Sequence, residues 1–197
     1  AASAHVVIHG VNIHLGSGKN RMKNAVLLAS EFISMLPPAE TPAHTEGYEG
    51  FYHVSDICGN ESRAELKMLV RDHDRASFER RRAFLMNLCE YLNGVHGAGT
   101  FELTVKDSYY NMKEKIQPHM HLIENAASAM RACGVTPKVV PIRGGTDGAR
   151  LSFRGLPCPN LCTGGVNFHS IHEFIPVFAL ETMTRVLVTI AEGEFAK

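Results

Sequence analysis

The chain has 197 residues, 45% of them hydrophobic and 20% charged, which is enough for one large core or two small ones. Twenty basic and twenty acidic side chains cancel, so no long-range field favours nucleic acid or an anionic membrane, and a charged ligand must be met by local groups. No apolar run reaches the ~20 residues of a membrane span, and AASAHVVIHG lacks the basic head and long apolar segment of a secretory leader.

The five cysteines are scattered and form no C-x-x-C pair, which suits free thiols in a reducing compartment and an expected cytoplasmic location. From the N-terminus, HVVIHGVNI (His5 to Ile13) is β-rich. Met22, Ala25, Val26, Ala29, Phe32, Ile33 and Leu36 then recur at three- and four-residue spacings, which predicts an amphipathic helix stopped by Pro37 and Pro38. GFYHVSDICG and ESRAELKMLVRD read as two strands, the second alternating Ala64, Leu66, Met68 and Val70 with polar neighbours, and Gly59-Asn60 joins them as a hairpin. Asp74 caps a second helix with the stripe Phe78, Leu85, Leu88, Cys89 and Leu92. Gly94, Gly97 and Gly99 end it before the strand TFELTVKD. The order β-α-β-β-α-β is that of a ferredoxin-like unit, a four-stranded antiparallel sheet with two helices on one face, expected over residues 1–110.

Residues 111–197 have a different rhythm. A helix from about His119 to Cys133 leads to TPKVVPIRGG, a short helix after Thr146, the apolar LPCPNLCTGG and a closing helix with Ala179, Met183, Val186, Leu187 and Ile190 on one side. Helices alternating with short buried strands predict an α/β layer. Two strands and three helices are too few to cover both faces of a parallel sheet, so this half reads as part of something larger.

Four places carry candidate chemistry. In NFHSIHEF, His169 and His172 lie three apart beside Glu173, and imidazole with carboxylate suits zinc. A structural zinc needs four ligands and a catalytic one three plus water, so one loop cannot complete the set. In PIRGGTDGA, Arg143 at a predicted strand end precedes two glycines and a helix start, a combination suited to an anionic group. Its plain alternative is a strand-turn-helix with Arg143 in a surface ion pair. His14 follows the first strand in NIHLGSGKN, which lacks the Walker spacing, and by position alone reads first as a turn histidine. Arg71 ends the third strand, either as a ligand clamp or as an ordinary edge arginine. No G-x-S-x-G supports a serine nucleophile.

Taken in order, HLGSGK, TEGYEGFYH, VRDHDR, DSYYNM, PIRGGTDGARLSFRGLPCPN and TGGVNFHSIHEF closely resemble the peptidase T family of tripeptide aminopeptidases, a branch of the di-zinc exopeptidases that include carboxypeptidase G and aminoacylase. The resemblance covers essentially the whole chain. It implies a ferredoxin-like lid followed by the C-terminal portion of an α/β catalytic domain, two zinc ions in the parent enzyme, and a tripeptide substrate. Carried over by position, it makes His169 a zinc ligand, Arg143 a substrate-holding arginine, His14 the lid histidine that reaches the scissile carbonyl, and Arg71 a lid arginine for a charged end of the peptide. His172 and Glu173 belong to the motif without being ligands. Leu15, where the family has proline, and Val166 depart from the pattern.

The family's remaining ligands come as an H-x-D pair, a bridging aspartate, a glutamate pair that includes the general base, and a further aspartate. None of the eleven histidines has aspartate two residues on, and no two glutamates are adjacent. The expectation is therefore a fragment of a tripeptidase that is inactive alone and holds no stable zinc pair. The alternative is a non-catalytic ferredoxin-like binding or dimerisation module, and in either case the lid's edge strands offer a homodimer contact.

Overall fold

Alternation of apolar and polar residues sets the first half. The structure, a computed structural model, describes residues 1–193. Strands β1 (Ala2–His9), β2 (Phe51–Gly59), β3 (Arg63–Arg71) and β4 (Phe101–Asp107) form one sheet of order β2-β3-β1-β4, and every neighbouring pair is antiparallel. Val6 stands opposite Leu66 on one side and Leu103 on the other, so the period of two puts Ala2, Ala4, Val6 and Ile8 on the same face as Ala64, Leu66, Met68 and Val70. All eight are buried. Helices α1 (Ala25–Ser34) and α2 (Arg75–His96) cover that face with Ala25, Leu28, Ala29 and Phe32 from one and Phe78, Leu85, Leu88, Cys89 and Leu92 from the other. Burial among these side chains pushes the Cys89 thiol up to about 11, so it is a packing group and not a nucleophile.

The expected βαββαβ unit is present, with shifted boundaries. The first strand ends at His9 and not at Ile13, because Gly10 passes so close to the neighbouring chain that a Cβ there would lie 2.0 Å from the Glu61 carbonyl oxygen. The first helix begins at Ala25 and not at Met22, because the Asn24 side chain accepts from the Val26 and Leu27 amides and caps it there. Gly94 lies inside α2, and the helix stops only at Gly97, whose φ of 103° suits glycine. Between β2 and β3 the Asn60 side chain accepts from the Ser62 and Arg63 amides and so closes the hairpin.

The described chain divides into two compact units, Ala1–Tyr110 with Pro141–Arg143, and Asn111–Val140 with the residues from Gly144 onward. In the second, α3 (Lys113–Ile116), α4 (His121–Ala132), α5 (Asp147–Phe153) and α6 (Val177–Ala191) follow one another, and α4 packs on α6 through Ala129, Met183 and Val186. Leu187, expected on the buried side of the closing helix, is 53% exposed. The two short strands expected in TPKVVPIRGG and LPCPNLCTGG do not form; pairing in this unit among the described residues is a single bridge between Val166 and Phe174. Each of those segments carries two prolines, Pro137 and Pro141 in one and Pro157 and Pro159 in the other, which donate no ladder hydrogen bond. Without a neighbouring strand, Val139 and Val140 stay 77% and 54% exposed. No helix of the described residues is long and apolar enough to cross a membrane.

Two outcomes test this packing. Leu66→Ala, at a fully buried site between two strands and two helices, is expected to cost about 3 kcal/mol in urea unfolding, against about 0.5 kcal/mol or less for Leu27→Ala on the open side of α1. Asp74 accepts from the Ser77 backbone and side chain, which holds its carboxyl below the ordinary value. The cap's contribution is therefore complete above the ordinary carboxylate range and lost as pH falls through the lowered folded-state value. Asp74→Ala is expected to lower Tm at neutral pH, and the gap to the parent should close in strong acid.

Candidate functional site

Phe51 opens β2 directly opposite Arg71, the last residue of β3. Its ring is buried and carries two cations: the Arg71 guanidinium carbon lies 5.8 Å from the ring centre and that of Arg143 5.0 Å. Arg71 also lies 5.9 Å from the Tyr109 ring, and its Nη1 donates to the Arg143 carbonyl at 2.6 Å. Arg143 is gripped by the loop before β2. Its Nη2 donates to Thr45 Oγ1 at 2.7 Å and to the Glu49 carbonyl at 3.0 Å, and its Nη1 donates to the Thr45 carbonyl. Beside them the His73 ring meets the Ile142 carbonyl at 3.1 Å and the edge of Tyr48 at 5.2 Å between ring centres.

The electrostatics of this cluster are unusual. Among the described residues neither Arg71 nor Arg143 forms an ion pair with a carboxylate, and the Arg143 Nε is buried without a hydrogen-bond partner. A guanidinium offers five N–H donors, and carbonyl oxygens and an aromatic face orient it without neutralising it. What results is a half-buried pair of fixed cations, chemically suited to a carboxylate or another planar anion. The sequence pointed to Arg143 at a strand end or in a surface ion pair. The structure shows neither: the segment forms no strand, and Arg143 donates to two loop carbonyls and to the Thr45 hydroxyl.

The other candidates stand elsewhere. His14 begins a 3-10 turn (Leu15–Ser17), is exposed, and accepts the Gly16 amide through Nδ1 at 3.2 Å. Asn12 donates to Glu61 at 3.0 Å, which ties this loop to the β2–β3 turn, at the opposite end of the sheet from Arg71. The length of β3, Arg63–Arg71, puts the two ends roughly 26 Å apart.

In the second unit, His169 is exposed at the tip of the loop closed by the Val166–Phe174 bridge. Its backbone is left-handed, with φ of 66°, and its amide donates to Glu173 Oε2 at 2.7 Å. Zinc needs three or four convergent donors. Among the described residues no three His, Cys, Asp or Glu side chains are grouped to hold a metal ion, and Glu173 is already engaged with the His169 amide, so this chain's residues do not by themselves fit a zinc pair. The RGGTDGA segment has a packing role as well: Thr146 caps α5 by accepting from the Ala149 amide, and a Cβ on Gly148 would lie 2.5 Å from the Cys158 carbonyl oxygen.

Sequence reasoning named Arg71 and Arg143 but not the cradle. Thr45 and Glu49 act mainly through backbone carbonyls, which no side-chain pattern reveals. Phe51 read simply as a strand residue.

The profile of the peptidase dimerisation domain matches residues 1–106. A peptidase T of Halothermothrix orenii is 53% identical over 192 residues, which are 98% of this chain and 47% of that protein. The chain thus spans about half the length of the curated relatives it matches. Among solved structures, a tripeptidase of Staphylococcus aureus superposes over 100% of this chain and 52% of its own with TM-score 0.76 at 19% identity. A Bacillus subtilis dinuclear metal-binding peptidase of the M20 family does so over 96% and 48% with TM-score 0.57 at 15% identity. At these identities the structural matches speak for the fold. With more than half of its length inside the profile and the βαββαβ sheet in place, the chain belongs to the peptidase dimerisation domain family.

Proposed function

We propose that residues 1–110 form the lid, and residues 111–197 the following part of the catalytic domain, of a cytoplasmic zinc-dependent aminopeptidase that releases the N-terminal residue from tripeptides. The observation that carries this reading is the Arg71–Arg143 pair on Phe51, two oriented cations that have no carboxylate partner among the described residues. The identity with peptidase T along nearly the entire chain supports it. A peptide carboxylate docked on the pair fixes one end of the substrate. The distance from there to the scissile bond then selects peptide length, because an extended residue advances ~3.3–3.6 Å.

His14 is assigned to the scissile carbonyl, where an N–H donor placed at the developing oxyanion stabilises it more than the ground-state carbonyl. His169 is assigned as a single zinc ligand. Among the described residues the donors around His169 do not complete a metal site, so its further ligands would come from other parts of the parent enzyme.

The separation within the lid bears on the partner. A tripeptide extends about 10 Å, whereas His14 and the guanidinium pair lie at opposite ends of the sheet. One lid therefore does not bring both groups to one substrate, and we assign the second to another copy, in a homodimer made through the lid. The family's dimerisation description supports this arrangement.

Two outcomes test the proposal. The 197-residue chain is expected to bind no stable zinc pair and to release no N-terminal residue from a tripeptide. Two tightly held zinc ions per chain by metal analysis, or measurable cleavage, would contradict this. In the full-length enzyme, His14→Ala and Arg143→Met are each expected to lose at least about a hundredfold in kcat/KM. Mixing the two under subunit exchange should restore about half of parental activity in each mixed dimer, whose sites include one intact and one doubly deficient. A statistical mixture, in which half of the dimers are mixed, should therefore show about a quarter. No recovery on mixing would place both groups in one copy.

A further inference from the structure

Two fixed cations in a half-buried cluster should attract nearby carboxylates, and three lie close by in the fold. Asp72 follows Arg71 directly, and Glu40 and Glu49 lie in the α1–β2 connection that grips Arg143. All three are occupied elsewhere. Glu49 Oε2 accepts the Glu46 amide at 2.8 Å. Asp72 and Glu40 both pair with one side chain, Arg81 on α2: its Nε donates to Asp72 Oδ2 at 2.9 Å and its Nη1 to Glu40 Oε2. Arg81 stacks 5.2 Å from the Tyr52 ring, and the Asp72 side chain is only 6% exposed, so the pair is shielded from solvent. Gly50 threads between the two systems. A Cβ there would lie 2.2 Å from Asp72 Oδ2, 2.5 Å from Arg81 Nε and 2.6 Å from the Arg71 carbonyl oxygen. Glu49, whose carbonyl holds Arg143, and Phe51, whose ring carries both cations, flank that glycine.

We infer that Arg81 is a positioning residue that sequesters Asp72 and Glu40, and thereby keeps the Arg71–Arg143 pair free of internal counterions and open to a ligand carboxylate. The inference rests on the reading of that pair as the substrate's anion site. Arg81 touches no substrate. Without it, a buried Asp72 loses its cation, and its nearest remedy is Arg71, beside it in sequence and on the same strand end. The freed carboxylate then competes with the peptide's own.

The test uses the full-length enzyme and tripeptide kinetics. Arg81→Met is expected to raise KM about tenfold with kcat within about twofold, the pattern of a lost binding contribution. The double variant Asp72→Asn/Arg81→Met should bring KM back towards the parent, because the amide keeps the acceptor that Asp74's N–H uses but cannot neutralise a guanidinium. Arg81→Lys, which can hold one carboxylate but not two, should raise KM about threefold and serves if the Met variant does not fold. An unchanged KM in the single variants, a KM in the double variant as high as in Arg81→Met, or kcat falling together with KM rising would each overturn the inference, since a purely architectural arginine predicts no rescue. Arg143→Lys separates the underlying reading: a parental KM there removes the substrate role from the pair itself. A raised KM there with a parental KM in Arg81→Met removes only the role given to Arg81.

Discussion

Everything distinctive about the first unit depends on holding two guanidinium groups against one buried phenyl ring without giving them a carboxylate. Like charges at this range repel, and burial makes the cost larger. The fold offsets it with dipoles and not with counterions. Three bonds from Thr45 and Glu49 hold Arg143, the Arg143 carbonyl holds Arg71, and the faces of Phe51 and Tyr109 complete the cradle. Each cation–π contact contributes about 0.5–2 kcal/mol and orients a guanidinium without cancelling its charge. The two cations are thus held in place by groups that carry no opposite charge.

The scaffold explains why those groups can be so well placed. Phe51 and Arg71 are register partners at the end of a hairpin whose other positions are locked by the period-two burial of β1 and β3. A slip of one residue would turn Leu66, Met68 and Val70 out to solvent, so the hydrophobic face fixes the position of the polar end. The site inherits its precision from the core.

Legibility in the sequence followed the same division. The strands and helices of the first unit were readable because each obeys one strong period, with Pro37, Gly59-Asn60, Asp74 and Gly97 as bounds, whereas the Asn24 cap that starts the first helix was not read. Arg71 and Arg143 were named from motifs, yet their meeting was not, since 72 positions separate them and the bonds that join them are largely to backbone. The second half misled for a physical reason. Runs such as KVVPI have the composition of buried strands, but a strand exists only with a neighbour to accept its ladder, and among the described residues these have none. Composition reported how apolar the segment is and not whether a partner strand lies beside it.

The backbone at His169 carries a further implication. A residue with a Cβ in the left-handed region sits there at a cost that glycine or asparagine would largely avoid, and the neighbouring Asn167, with φ of 58°, shows the more comfortable choice. Replacing the imidazole by either would relax the loop. With its amide donating to the Glu173 carboxylate, exposed His169 is held in a turn whose left-handed backbone histidine adopts more readily than most residues with a Cβ, so the tether and not the ring fixes the loop's course.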